Sequence, residues 1–392
     1  MKRTEILAAV TAVVLIAAAP RQDGAKKLDD FEGELAGWSA IKMVENVGVS
    51  PDESAKVAIT RDAQHVKQGR GALSYTYEVT NDAFRALTIQ RPKDFTGMAS
   101  LHFWVKCTSA TALMVGLNET GGASFQAAVY CNQGAWQEVV LNLDELTLDD
   151  RNKKPGGKLE LDEVESFYLA DLGNFLVRML PDVKGTRILW LDDVSFSPKP
   201  APQSTGFTKS AAGAPLYLVD NFESPVIRWS PLSFEMAETP RVNIFDSPLA
   251  IDAGAPSGGG KQSLKMTYTR QAAKAFGLIR NLEKVDLKKA KGLELSLKTS
   301  HDGTYVVTIQ EKGGARYQQI VPLKAGDGWK SLSWPLTSFT LAQDSKDDNG
   351  KLDADQIKEI SIADLTTLLA AGAGAGTENV LRIDEVRFTL GE

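Results

Sequence analysis

One pattern of residues occurs twice along this chain of 392, at a spacing of about 192, and no other feature limits its possible folds so severely. A duplicated pattern identifies what one folding unit needs, because both copies must bury the same faces. LDDFE before Trp38 returns as VDNFE before Trp229, pairing Phe31 with Phe222 and Glu32 with Glu223 at a shift of 191. LHFWVK returns as LELSLK at 192, Glu119 matches Glu311, and LWLDDVSF matches LRIDEVRF at 192. Trp136 matches Trp329, and GKLELDEVESFYLADL matches GKLDADQIKEISIADL, both at 193, so Asp171 pairs with Asp364. A drift of two residues implies changes in loops only. The copies occupy 26–197 and 216–392, and the stretch 198–215, rich in Pro, Ser, Ala and Gly and without periodicity, reads as a linker.

Within each copy the apolar residues alternate with period two in short segments such as SYTYEV, LTIQ, LHFWVK, LMVGLNE and FYLADL, which predicts strands. Gly, Asn and Asp separate them, and only short pieces, Asp162 to Glu165 and Ala363 to Ala371, have a helical pattern. The expected fold is all-β, two tandem antiparallel β-sandwiches of jelly-roll type. An α/β barrel would need long helices between its strands.

Residues 1–25 stand apart. Lys2 and Arg3 precede fourteen uncharged residues, Ile6 to Ala19, ending in small side chains, which is the pattern of a secretory signal peptide. A membrane-spanning helix takes roughly 20 apolar residues, so a stable span is not expected and the mature protein is expected to be exported. A net charge of −6 offers no basic footprint for nucleic acid. Three histidines and two cysteines are too few for a structural zinc centre, so any metal would bind through oxygen. In an oxidising compartment Cys107 and Cys131 could pair; they could equally be small core residues.

The opening DDFE with its tryptophan, the G-x-x-[AS]-L-x-x-x-Y strand, the GKL turn and the closing [IL]D[DE]V-x-F strand resemble galactose-binding-like jelly rolls. The pattern is most similar to family 11 carbohydrate-binding modules and the complex I intermediate-associated protein domain. That resemblance implies non-catalytic glycan binding, often beside a structural calcium ion held by an opening Glu and a closing Asp.

The residues themselves also point to an ion. If Phe31 faces the core, Glu32 faces away, and Asp193 does so beside Val194; paired strands would then oppose like charges, which a cation relieves. Glu32 with Asp193, and Glu223 with Glu385, are the candidate calcium ligands, with Asp192 or Asp384 as alternative closing acids. Carbonyls of the turns at Gly69 to Gly71 and Gly258 to Gly260 could complete the shell. The competing reading leaves these acids solvated at sheet ends.

Glycan recognition needs an apolar platform and hydroxyl-bonding groups on one concave face. Opposite the apolar face of LHFWVK stand His102 and Trp104, and neighbouring strands add Asn118, Gln126 and Tyr130, with Arg85 and Tyr168 as further candidates. The second copy has Glu294, Ser296, Gln310, Gln318 and Pro322 at the first five of these positions, so the first copy is better equipped. Trp104 could instead pack beneath a loop. Three further motifs fail on spacing: SKDDNGKLDADQ lacks the terminal bidentate Glu of a calcium loop, SGGGKQS lacks the Ser/Thr of a phosphate loop, and GAGAGT follows no strand that opens a helix. The expected function is polysaccharide binding, with a possible partner enzyme. The alternatives are an envelope assembly role through the sandwich faces and a glycoside-active enzyme, which would need two carboxylates in one cleft.

Overall fold

The computed structural model describes residues 24–391 apart from 91–94, 153, 155, 237–240, 255–259 and 371. The expected signal peptide, up to residue 23, and Gly258 and Gly259 of the second glycine turn lie outside the described residues. No helix among the described residues is long and apolar enough to cross a membrane.

Each copy folds as two antiparallel sheets packed face to face. In the first, one sheet runs Gln137–Asn142, Ser100–Cys107, Gly185–Ser197, Ala72–Val79, Lys56–Thr60, with Lys26–Asp29 also alongside Gly185–Ser197. The other sheet runs Thr147–Leu148, Ser124–Cys131, Thr111–Glu119, Val164–Asp171, Phe84–Gln90, Trp38–Val44, Gly48–Pro51. The second copy repeats both orders: Lys330–Pro335, Ala290–Thr299, Glu378–Leu390, Gln262–Thr269, Leu249–Ala253 in one sheet, and Ile357–Asp364 between Gly303–Glu311 and Lys274–Asn281 in the other. Alternation explains the core directly. Leu101, Phe103 and Val105 point inward from one sheet to meet Leu113, Val115 and Leu117 from the other, and all six are fully buried. Leu293, Leu295 and Leu297 do the same in the second copy.

The recurring acids are structural anchors. Glu119 takes the Lys154 ammonium at 2.5 Å and the Glu160 amide at 2.6 Å, pinning the GKL loop; Glu311 holds that loop in the second copy through the Asp353 amide at 2.6 Å. Asp171 and Asp364 each accept a buried tyrosine hydroxyl, from Tyr77 at 2.7 Å and Tyr268 at 2.6 Å. A guanidinium balances each buried charge from a different place. Arg187, on the closing strand, reaches Asp171 at 2.6 Å, whereas Arg270, just beyond the Gln262–Thr269 strand, reaches Asp364 at 2.8 Å. The counterpart of Arg187 is Asn379, and that of Arg270 is Val79.

Two expectations change, and one alternative left open, small core residues for the cysteines, is the one observed. The 198–215 stretch contains the strand Gly206–Lys209, which adds an edge to the second copy's sheet beside Pro215–Asp220. Its short alternation, GFTK, is hidden by the Pro- and Gly-rich flanks. Ala363 and Asp364 belong to a strand, and among the described residues of the Ala363 to Ala371 stretch only Thr366–Leu369 is helical, while at Asp162 to Glu165 the chain turns into the strand Val164–Asp171. Cys107 and Cys131 are buried free thiols from opposite sheets, and the neighbouring Cys131 thiol together with burial raises the Cys107 pKa well above normal.

The copies also share an interface. Ala112 and Tyr130 of the first belong to the core of the second, and Val226 of the second to that of the first. The Tyr130 amide donates to the Ile227 carbonyl at 2.7 Å, Asn132 pairs with the Leu249 backbone at 2.7 and 2.9 Å, and Arg228 meets Glu145 at 2.6 Å, both largely buried.

Candidate functional site

The seven residues expected to meet a glycan fall on two different sheets. His102 and Trp104 lie on the outer face of the sheet containing Ser100–Cys107, whereas Asn118, Gln126 and Tyr168 lie on the outer face of the opposite sheet. Only three residues separate Cys107 from Thr111, yet the chain crosses between sheets there, so neighbouring strands in sequence are not neighbours in space.

The first face is closed by the chain itself. The loop after Lys56–Thr60 folds over it: the His65 ring stacks on Trp190 at 4.1 Å and 5° between planes, and the Lys67 ammonium sits 4.1 Å from the centre of the Trp104 ring. The amides of Lys67 and Gln68 both donate to Asp192 at 2.9 Å, fixing the loop. Trp104 thus packs beneath a loop, the alternative left open above, and His102 is engaged with Glu138 at 2.9 Å. Arg85 and Tyr130 are also withdrawn. Arg85 points toward the interior at one end of its strand and pairs with buried Asp52 at 3.0 Å. Tyr130, 2 % exposed, is spent on the contact between copies, its ring 5.8 Å from Phe245 and its hydroxyl 3.3 Å from the Ser247 carbonyl.

The second face is organised in rows by register and is closely packed at its centre, where Tyr168 is 9 % exposed and Thr88, Ser166, Ala86 and Ala170 are buried. Across one row stand Thr147, Gln126, Gly116, Tyr168, Thr88 and Ser39; the adjacent row is Ser124, Asn118, Ser166 and Gln90, and on the other side run Ala128, Met114, Ala170, Ala86 and Ile41. Tyr168 lies flat because of Gly116: a Cβ there would fall 2.1 Å from the phenol ring, so only glycine lets the ring cover the strand beside it. Its hydroxyl is held 3.1 Å from Gln126 Oε1 and 3.0 Å from Ser124 Oγ, and the Asn118 amide donates to Ser166 Oγ at 2.8 Å. Burial pushes the Tyr168 phenol up, so it remains a donor at neutral pH. Arg151, on the flanking loop, is largely exposed and anchored to Asp149 at 2.5 Å. A flat ring bordered by small side chains and ringed with amides and hydroxyls can accept the C–H face of a sugar and bond its hydroxyls.

Gly116 was absent from the sequence expectation, although a signal for it existed. Its counterpart is Thr308 and that of Tyr168 is Ser361, which face each other in the second copy. The glycine and the tyrosine disappear together, as a packed pair must.

The expected ion pairs are engaged otherwise. Glu32 accepts the amides of Arg70 at 2.7 Å and Gly71 at 3.1 Å, which lower its pKa, so the glycine turn offers it N–H groups rather than carbonyls. Asp193 pairs with Lys27 at 2.9 Å, and the Arg61 guanidinium already occupies the carbonyls of Glu32 and Gly33 at 3.0 and 2.8 Å. These residues do not fit a cation. In the second copy Glu223 again accepts two amides, from Lys261 and Gln262, and Glu385 pairs with Arg387 at 2.9 Å. The alternative closing acids, Asp192 and Asp384, are alike: each is fully buried with one oxygen lacking a hydrogen-bond partner, and burial pushes the carboxyls up to about 6 and about 7, Glu385, Glu223 and Asp220 adding to the rise at Asp384. Those two oxygens, one in each copy, fit a cation better than Glu32, Asp193, Glu223 or Glu385. Among the described residues no three His, Cys, Asp or Glu side chains are gathered as a metal site.

A cavity of about 810 Å³ lies elsewhere, between the Leu143–Glu145 turn, Leu159 and the 200–205 segment. One of its polar groups, Asn142, is already bonded to the Ala201 amide at 2.7 Å.

No family model matches the chain, and no curated protein matches it. Solved structures do. The chain is similar to the family 11 carbohydrate-binding module of the cellulosomal cellulase Lic26A-Cel5E of Clostridium thermocellum, at 16 % identity and a TM-score of 0.33, over 48 % of this chain and 97 % of that one. It is similar to the tandem CBM22-1–CBM22-2 domains of Paenibacillus barcinonensis Xyn10C at 15 % identity and a TM-score of 0.31, over 96 % of this chain and 100 % of that one. An exo-β-agarase matches at 13 % identity and a TM-score of 0.33, over 45 % of this chain and 26 % of that one.

Proposed function

We propose that this is an exported, non-catalytic carbohydrate-binding protein whose first domain takes a polysaccharide on the outer face that carries Tyr168. The observation that carries this reading is the phenol lying flat over Gly116 with Gln126, Ser124, Asn118 and Ser166 around it. The second domain, with Ser361 and Thr308 in those places, lacks the platform and acts as a support. A structural calcium ion is retained in the proposal beside Asp192 in the first domain or Asp384 in the second, where it would neutralise a buried carboxylate.

Electrophoresis through gels containing plant β-glucans, xylan, mannan or α-glucans tests the reading. The parent should be retarded by at least one polysaccharide and Tyr168→Ala by none. Equal mobility of parent and variant in every gel would refute the site. The edge strands remain available for envelope protein contacts, which pull-down from envelope extracts would reveal without any retardation.

A further inference from the structure

The apolar surface around Tyr168 does not stop at the floor of the site. It continues as packing through the buried Ala170 and Ala86 to the half-buried Phe84. Phe84 in turn packs on Phe175, with ring centres 4.6 Å apart and 32° between planes. Phe175 is 44 % exposed, on the one-turn helix Gly173–Leu176, and neither domain's core uses its outer face. The turn is clamped from behind, because Leu172 and Leu176 pack against the core of the second domain. An aromatic ring this exposed, on a support this fixed, is a ledge and not a frayed end.

Taking the Tyr168 floor as a glycan site, we infer that the site extends onto the Phe84–Phe175 ledge, which stacks a further sugar ring of the same chain. Tyr168 stands opposite Thr88, and Phe84 lies four residues farther along that strand, about 13 Å at the usual rise per residue. That separation exceeds one pyranose ring, so the ligand must be an oligosaccharide that presents the C–H faces of successive rings to one side. The second copy is consistent with this: Ala275 and Leu368 replace Phe84 and Phe175 where Ser361 replaces Tyr168, so floor and ledge are lost together. The second domain then serves the first directly, by holding the helix that carries the ledge.

Isothermal titration of the full chain with the disaccharide and the hexasaccharide of mixed-linkage β-glucan, xylan and mannan tests this. Phe175→Ala should weaken hexasaccharide binding about three- to tenfold and leave disaccharide binding unchanged, the loss expected for one aromatic stacking contact. Phe175→Tyr, which keeps the ring, should restore parental affinity and guards against a misfolded alanine variant. Parental hexasaccharide affinity in Phe175→Ala, with Tyr168→Ala inactive, overturns the ledge and leaves the floor standing. Parental binding by Tyr168→Ala, or no binding of any probe by the parent, overturns the floor itself. A change in self-association on Phe175→Ala with unchanged sugar affinity assigns the ledge to a protein contact and also overturns the inference.

Discussion

Replacing Tyr130 by alanine should cut the mechanical link between the two domains. The side chain is 2 % exposed, its ring packs against Phe245, and its hydroxyl meets the Ser247 carbonyl at 3.3 Å. Truncating a buried aromatic costs about 3–5 kcal/mol, and the lost hydroxyl contact about 1 kcal/mol of that order again. On a unit of this size such a loss corresponds to a fall in melting temperature of roughly 5–10 °C. Differential scanning calorimetry should show one cooperative endotherm for the parent and a lower, split endotherm for Tyr130→Ala, because the ring and Ala112 are the first domain's buried residues in the second domain's core. Tyr130→Phe removes only the hydroxyl and should melt as one transition, lowered by about 1 kcal/mol in stability. A parent that already melts in two independent steps, or an alanine variant that melts like the parent, would show that the domains are merely tethered and would refute the reasoning.

Three further outcomes follow from burial. Trp104→Ala should lower the melting temperature by the loss of about 2–4 kcal/mol of packing under the Lys67 loop while leaving glycan retardation unchanged; lost retardation at an unchanged melt would return the site to that face. Arg85→Ala strands the buried Asp52 carboxylate and should cost about 3–5 kcal/mol in urea denaturation, a penalty that Asp52→Asn in the same chain should reduce. Burial holds the carboxyls of Asp384 at about 7 and of Asp192 and Asp220 at about 6, above the unfolded 3.8. The folded chain therefore binds these protons more tightly, so stability should fall as pH rises from about 4 to 7 and level off above. At pH 8 in chelator Asp384→Asn should melt higher than the parent, and added calcium should close that gap by stabilising the parent alone; identical melts with chelator and calcium would reject the ion.

The fold was legible because the inward residues of both copies had to repeat. Leu101, Phe103 and Val105 could be aligned with Leu293, Leu295 and Leu297 without any outside sequence, and each set proved to be core. The site was less legible because outward residues report their face but not their sheet. Trp104 and Gln126 share the outward parity and lie on opposite sides of the molecule. Tyr130 also alternates outward, and nothing in its own copy reveals that Phe245 from the other covers it. The acids misled for a related reason: Glu32 and Glu223 recur because each accepts two turn amides, a demand that spacing alone cannot distinguish from a cation.

The two buried aspartates draw their guanidinium from different strands, Arg187 on the closing strand of one domain and Arg270 just beyond the Gln262–Thr269 strand of the other. After duplication the positive charge changed address while its destination stayed put. The halves are for that reason no longer interchangeable piece by piece: grafting the Glu378–Leu390 strand into the first domain would leave Asp171 with no cation, and the reverse graft would crowd two onto Asp364. Any hybrid assembled from this pair has to exchange Val79 and Arg270 along with the closing strand.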